Sequence, residues 1–116
     1  MSYDVSLYRK GLVDKDYAVY YDYIDSLTYN VKEMVDNAFG KDCFYTWHDR
    51  PAAQWLPILE KGVEDMATRP EYYKQFNSPN GWGTYETTFF FMEKLYKKVI
   101  EYSKFDGLEN IYFDVC

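Results

Sequence analysis

The chain of 116 residues has 47% hydrophobic and 28% charged side chains, which is enough apolar material for one core in a single domain, residues 1–116. This composition excludes a generic disordered chain, and no apolar run approaches the roughly 18 residues that a membrane-spanning helix requires. The net charge of −6 without a basic stripe argues against a direct nucleic-acid partner, because such binding depends on neutralising phosphates.

The chain begins with two strand-like segments. In Ser2–Tyr8, polar residues alternate with Tyr3, Val5 and Leu7, and this period of two predicts a strand with one buried face. Tyr17–Ile24 is rich in tyrosine and predicts a second strand. We expect the two strands to pair as a hairpin, with a loop longer than a tight turn.

Helical patterns follow in the middle of the chain. The first helix is expected to begin at Asn30, a good N-cap with a glutamate three residues later, and to end at Gly40. Asp49 is predicted to cap a second helix. Within it, Pro57 should kink the backbone unless regular helix begins only near Trp55.

The second half of the chain predicts a short helix, a long helix and a strand. A short helical segment begins at Arg69-Pro70-Glu71, and the longest helix runs from Thr84 or Tyr85 to about Lys104. Glu109–Val115 alternates again and predicts a third strand. The predicted buried stripe of the long helix consists of Tyr85, Phe89, Met92, Tyr96, Val99 and Ile100.

Strands near both ends of a helical middle predict an α+β fold. We expect a small antiparallel sheet, made of the N-terminal hairpin and the C-terminal strand, with three to four helices covering one face. The first residues lack the basic and apolar regions of a secretory signal, and two cysteines are few for so small a secreted domain. A cytoplasmic protein with Cys43 and Cys116 reduced is therefore expected.

The segment Asp14–Asp25 combines four aspartates and four tyrosines with a single lysine. A strand buries only alternate residues on one face, so the neighbours Tyr20 and Tyr21 must point in opposite directions and some tyrosines must be exposed. Exposed tyrosine is enriched at protein interfaces, although it also suits an ordinary exposed sheet face. The predicted partner-binding residues are Asp16, Tyr17, Tyr20, Tyr21, Asp22, Tyr23 and Asp25.

A second candidate region is the turn signal at Asn77–Gly83, in which Trp82 stands between two glycines. The favoured interpretation is a packed turn with Trp82 buried under the long helix, because no phosphate-binding glycine pattern is present. The alternative is a ligand or loop contact by Asn80, Trp82 and the single histidine, His48. Cys43 and His48 supply neither a supported catalytic pair nor four zinc ligands, so no catalytic residue, metal or other cofactor is predicted.

Four segments carry a family resemblance. They are MSYDVSLY at residues 1–8, YNV at 29–31, PEYY at 70–73 and, most specifically, NSPNGWGTYE at 77–86. These segments resemble a family of small uncharacterised proteins associated with bacteriophages and bacterial mobile elements. The resemblance covers most of the chain except residues 14–25 and 43–48. It implies a bacterial host as the setting, where small acidic phage proteins often block host proteins, and it assigns no functional residues.

Together these features predict a non-enzymatic phage or mobile-element accessory protein in the host cytoplasm. It is expected to bind and inhibit a host protein with a basic surface, such as a defence nuclease, in the manner of an anti-CRISPR protein. One alternative is a small ligand-binding protein or enzyme with a pocket near Trp82 and His48. Another is a structural homodimer that uses an exposed sheet edge.

Overall fold

The structure is a computed structural model that describes residues 1–10 and 18–116. Its strands form one antiparallel sheet in the order β2-β1-β3. The strands are β1 (Ser2–Lys10), β2 (Ala18–Thr28) and β3 (Ile111–Val115). The N-terminal hairpin and the C-terminal strand thus share one sheet, and the predicted α+β fold is confirmed.

Five α-helices lie between β2 and β3 in the chain. They are α1 (Lys32–Phe39), α2 (Cys43–Trp47), α3 (Ala52–Thr68), α4 (Pro70–Lys74) and α5 (Tyr85–Ser103). Single turns of 3-10 helix precede α1 at Tyr29–Val31 and β3 at Leu108–Asn110. Among the described residues, none of the helices has the length and apolar character needed to cross a lipid bilayer.

One face of the sheet packs against the helices. Tyr3, Val5 and Leu7 of β1 are buried on this face, and across the ladder Leu27 pairs with Tyr3 while Phe113 pairs with Leu7. Helices α3 and α5 contact each other and the sheet. The alternation in the first strand therefore identified the core-facing residues correctly, because side chains of a strand point to opposite faces in turn.

Helix α2 was missed by the sequence pattern. Its five residues are too few to show a helical period, and it begins after Asp42, whose φ of 54° is left-handed. The helix buries Phe44 and Trp47 among other aromatic rings. The Phe44 ring lies 5.7 Å from the ring of Phe113, and Trp47 stacks on Trp55 at 5.4 Å. These contacts join α2 to both β3 and α3.

Two predicted helix starts are wrong. Thr28 caps the first helical segment instead of Asn30, because the Thr28 hydroxyl accepts a hydrogen bond from the Asn30 N–H at 3.3 Å. Asp49 does not cap α3. Its backbone has a left-handed φ of 58°, and its N–H donates to the carbonyl of Phe113 in β3 at 2.7 Å. Pro57 lies inside the continuous helix α3.

The two outer edges of the sheet differ. The segment His48–Pro51 runs along β3, where Asp49 N donates to Phe113 O at 2.7 Å and Phe113 N donates to Arg50 O at 3.3 Å. In the part of the chain that the structure describes, β2 is the last strand on the other side. An unpaired edge offers backbone donors and acceptors to another chain, and among the described strands that edge belongs to β2.

Candidate functional site

The tyrosines at the centre of β2 divide between the two faces of the sheet, as predicted. Tyr21 and Tyr23 lie on the face away from the helices, where each side chain is more than half exposed. Tyr20 points the other way, toward α5, and is only partly exposed. The predicted contact residues Asp16 and Tyr17 lie outside the described residues.

Helix α5 contacts Tyr20, Asp22 and Asp25, the remaining predicted partner-binding residues of β2. The ring of Tyr20 stacks on that of Tyr102, with centroids 4.6 Å apart. The Tyr102 hydroxyl donates to Asp22 Oδ2 at 2.6 Å, and Lys94 Nζ lies 3.6 Å from Asp25 Oδ2. Burial, together with the hydrogen bond to Asp22, raises the pKa of Tyr102 to about 12. Asp22 therefore holds α5 against β2, whereas the contact of Asp25 with the same helix is longer and exposed.

A row of tyrosines crosses the outer face of the sheet. Tyr8 of β1 stacks between Tyr21 of β2 and Tyr112 of β3, at centroid distances of 6.2 and 5.5 Å. The Tyr8 hydroxyl donates to Asp49 Oδ1 at 2.6 Å, and the Tyr21 hydroxyl donates to Asp114 Oδ2. Desolvation and the Asp49 hydrogen bond raise the pKa of Tyr8. The hydroxyls of Tyr8 and Tyr21 are thus used within the protein.

His48 lies at the end of this row, between two carboxylates. Its Nδ1 accepts a hydrogen bond from Val115 N at 3.2 Å and lies 3.5 Å from Asp114 Oδ1, while Nε2 lies 3.4 Å from Asp49 Oδ2. One ligand atom from each of the three side chains falls within 4.8 Å of the others. However, an Nδ1 that accepts a backbone N–H leaves the ring proton on Nε2. Neither nitrogen then offers a lone pair to a metal, and His48 ties α2 to β3.

A thiolate nucleophile paired with His48 finds no support in this geometry. Cys43 is buried, and burial raises the pKa of its thiol to about 12. The thiol therefore stays protonated at neutral pH, whereas the thiolate is the form that attacks a substrate.

The interpretation of Trp82 as a buried residue is wrong. Its side chain is 74% exposed, although the loop that carries it is packed. The packed residue is Gly83, which has a φ of +127° and approaches the first helical turn so closely that a Cβ there would lie 2.7 Å from Val31 Cγ1. The glycine therefore fastens the loop to the protein, and the tryptophan next to it projects outward.

Hydrogen bonds fix the conformation of the Trp82 loop. Asn80 Oδ1 accepts from the backbone N–H of Trp82 at 2.9 Å and from the hydroxyl of Ser78 at 2.5 Å. Ser78 N donates to Gly83 O at 3.0 Å, and Asn30 Nδ2 donates to Trp82 O at 2.9 Å. Asn80, a predicted contact residue, thus shapes the loop that presents Trp82.

Trp82 stands beside a groove between the end of β2 and the first turns of α5. The groove has a volume of about 540 Å³, and Phe90 on its helical wall is 64% exposed. Its lining includes the carboxylates of Asp25 and Glu86 and no lysine or arginine. We call it the aromatic groove. It is lined by Asp25, Ser26, Leu27, Thr28, Gly81, Trp82, Gly83, Glu86, Thr87, Phe90 and Phe91.

His48 does not line the aromatic groove, so the structure separates two of the three residues proposed for a ligand contact. Trp82 belongs to the groove, whereas His48 is bonded to β3. Asn80 supports Trp82 from within the loop. The groove instead brings Trp82 together with Asp25, one of the predicted partner-binding residues.

Phe90 was absent from the predicted site, although the sequence contains a signal for it. Phe89, Phe90 and Phe91 are consecutive, and successive side chains of a helix point about 100° apart. Three adjacent rings therefore cannot all face one core. In α5, Phe91 is buried and Phe89 half-buried, and Phe90 faces solvent.

A larger depression, of about 890 Å³, lies over α1, α3 and α4. Glu64 and Asp65 are its acidic residues, and Asp65 accepts hydrogen bonds from Arg69 Nη2 at 2.7 Å and from the hydroxyl of Tyr73. These two bonds hold the pKa of the Asp65 carboxyl below its usual range. The aromatic ring in the lining of this depression, Tyr73, is buried, whereas Trp82 and Phe90 at the aromatic groove are exposed, so the aromatic groove is the stronger candidate for binding.

No protein-family model, no curated protein and no solved structure matches the chain. The aromatic groove is thus characterised by its own geometry. It joins an exposed tryptophan in a hydrogen-bonded loop, an exposed phenylalanine on a helix and the free edge of a strand.

Proposed function

We propose that this chain is a non-enzymatic protein that binds a partner protein through the aromatic groove. The observation that carries the proposal is the exposed Trp82 side chain on a loop fixed by hydrogen bonds of Asn80, Ser78 and Asn30. A binding residue that is held in place before contact loses little conformational entropy when the partner arrives. Tryptophan in such a position is the residue type most often found to dominate the energy of an interface.

Phe90 strengthens the proposal because it places a second exposed ring at the same groove. Exposed aromatic side chains that border a concavity are typical of interaction sites on soluble proteins. Tyr21 and Tyr23 are exposed on the outer face of the same edge strand. A partner centred on the groove would therefore find additional contact area along β2.

The proposed partner is a host protein with a basic surface, and the proposed consequence of binding is its inhibition. The net charge of −6 and the carboxylates of Asp25 and Glu86 in the groove favour a positively charged partner. The proposed bacterial setting rests on the resemblance of the segment 77–86 to a phage and mobile-element family. A defence nuclease fits this description, because nucleases carry basic surfaces for nucleic acid.

Affinity capture from a bacterial lysate tests the proposal with three baits: the wild-type chain, the double variant Trp82→Ala/Phe90→Ala, and Phe105→Ala. Phe105 is a matched control, since it is 83% exposed but lies outside the groove. We expect the wild-type and Phe105→Ala baits to enrich the same protein and the double variant to lose it, with all three chains folded by circular dichroism. Equal recovery by the double variant would refute the proposed site.

A further inference from the structure

We propose that the aromatic groove receives an extended, basic peptide segment of the partner, which adds as a fourth strand to the free edge of β2 alongside α5. This inference rests on the proposed function and specifies the part of the partner that is recognised. Strand addition of this kind supplies affinity through backbone hydrogen bonds and specificity through alternate side chains.

The lining of the groove shows that it follows the edge of β2. Four consecutive residues of the strand, Asp25–Thr28, all line it. Successive side chains of a strand point to opposite faces, so a groove on either face would be lined by every second residue only. Four neighbours in a row are in reach only along the edge, where every second residue of an antiparallel strand directs its backbone N–H and C=O away from the neighbouring strand.

The two edges of the sheet are not equivalent. Residues His48–Pro51 occupy the edge of β3 through hydrogen bonds with Phe113, whereas within residues 1–10 and 18–116 no strand borders the outer edge of β2. The outer edge of β2 is therefore the position in the described sheet where a further strand can pair. Antiparallel or parallel pairing there would extend the order β2-β1-β3 by one strand on the β2 side.

The walls of the groove suit alternate side chains of such a strand. On one side stands α5, with Glu86, Thr87 and the exposed Phe90, and at one end stands Trp82. Every second residue of an added strand would point toward α5. An apolar side chain at one such position can pack against the rings of Phe90 and Trp82, while its neighbours point to the outer face.

The charges of the groove favour a basic occupant. Asp25 is in contact with Lys94 at 3.6 Å, and Glu86 is at the limit of contact with Lys74 at 4.0 Å. Both pairs are long and exposed, so each carboxylate can accept a further cation. Asp25 Oδ1 also accepts the Ser26 N–H at 2.8 Å. A backbone carbonyl of an added strand could take over that N–H and leave Asp25 free to bind a lysine or arginine.

The same charges disfavour a second copy of this chain as the occupant. Pairing of two β2 edges would bring two copies of a protein with a net charge of −6 together. It would also place the carboxylates of each groove near those of the other. Like charges across an interface oppose association, so the partner strand is expected from a different, basic protein.

Binding of short peptides tests the inference. The probe is a pool of acetylated heptapeptides with lysine or arginine at alternate positions and valine, isoleucine, phenylalanine or tyrosine between them. The control pool has glutamate in place of every cation. Trp82 fluorescence reports occupancy, because Trp47 and Trp55 are buried and the variant Trp82→Phe removes the signal of the groove. Backbone amide NMR shifts of Asp25–Thr28 report contact with the strand edge.

We expect the basic pool to contain binders that shift the amide signals of Asp25–Thr28. These peptides should bind at least about tenfold more tightly than the glutamate pool, because a tenfold difference in Kd corresponds to the loss of one charge-assisted contact. Methylation of the backbone nitrogens that face β2 should abolish binding by the best peptide. Equal binding of the methylated peptide would overturn strand addition. Strand addition would also be overturned if no peptide of the basic pool bound while binding of the captured partner still depended on Trp82 and Phe90. The proposed function would survive that result.

Two further outcomes separate the inference from its alternatives. If the wild-type chain forms dimers by light scattering that the variant Ser26→Pro abolishes, the edge is occupied by a second copy and the inference is overturned. If neither peptides nor a protein partner depend on Trp82 and Phe90, the proposed function falls together with the inference.

Discussion

Replacing Phe44 by alanine is expected to lower the free energy of unfolding by about 3–5 kcal/mol, the range observed when a buried phenylalanine is truncated. The Phe44 side chain is 2% exposed. Its ring lies within 6.0 Å of three neighbouring rings, at 4.9 Å from Tyr3, 5.7 Å from Phe113 and 6.0 Å from Phe91. Truncation would leave a cavity where β1, β3 and α5 meet α2, and rings cannot collapse into it without leaving their own contacts.

Denaturant unfolding followed by circular dichroism measures this loss, with Phe105→Ala as the matched control. Phe105 is almost fully exposed, so its truncation is expected to change stability by less than about 0.5 kcal/mol. A loss below about 1 kcal/mol for Phe44→Ala would show that α2 is not part of the cooperative core.

Replacing Trp82 by alanine is expected to weaken binding of the captured partner by about 2 kcal/mol or more, a roughly 30-fold rise in Kd. The indole is the largest exposed side chain beside the aromatic groove, and the loop holds it in place. Thermal stability should remain unchanged, because an exposed ring contributes little to the core. Isothermal titration of the purified partner against Trp82→Ala and Phe105→Ala gives the comparison.

The variant Asn80→Ala separates the contact made by Trp82 from its positioning. Asn80 Oδ1 accepts two hydrogen bonds within the loop, so its removal frees the loop without removing the indole. A smaller loss of affinity than for Trp82→Ala is expected, because the cost is then the entropy of ordering the loop on binding. If the Trp82→Ala variant binds the partner as tightly as the wild-type chain does, the contact lies elsewhere, whatever the effect of Asn80→Ala.

The sheet was predictable because its pattern is local. The alternation of Tyr3, Val5 and Leu7 places three side chains on one face, and the same period in β3 made a shared sheet the simplest way to bury both. Helix α2 was not predictable in this way. It covers little more than one turn, and its aromatic residues are fixed by rings from β1, β3 and α3, which are distant in sequence.

The candidate site was only partly predictable for a related reason. The rule that neighbours on a strand point in opposite directions correctly indicated exposed tyrosines in β2. The partners of Asp22 and Asp25 lie on α5, far along the chain, and no local pattern marks such pairs. The exposure of Trp82 likewise depends on a distant contact, the close approach of Gly83 to Val31.

Backbone hydrogen exchange can show whether a partner protein occupies the aromatic groove. The measurement compares the wild-type chain alone with the chain saturated by its captured partner. We expect slower exchange at Asp25–Thr28 and at the loop Gly81–Gly83, with little change along β3, whose edge is already bonded within the protein. Unchanged exchange at both of these segments, with protection elsewhere on the surface, would contradict it.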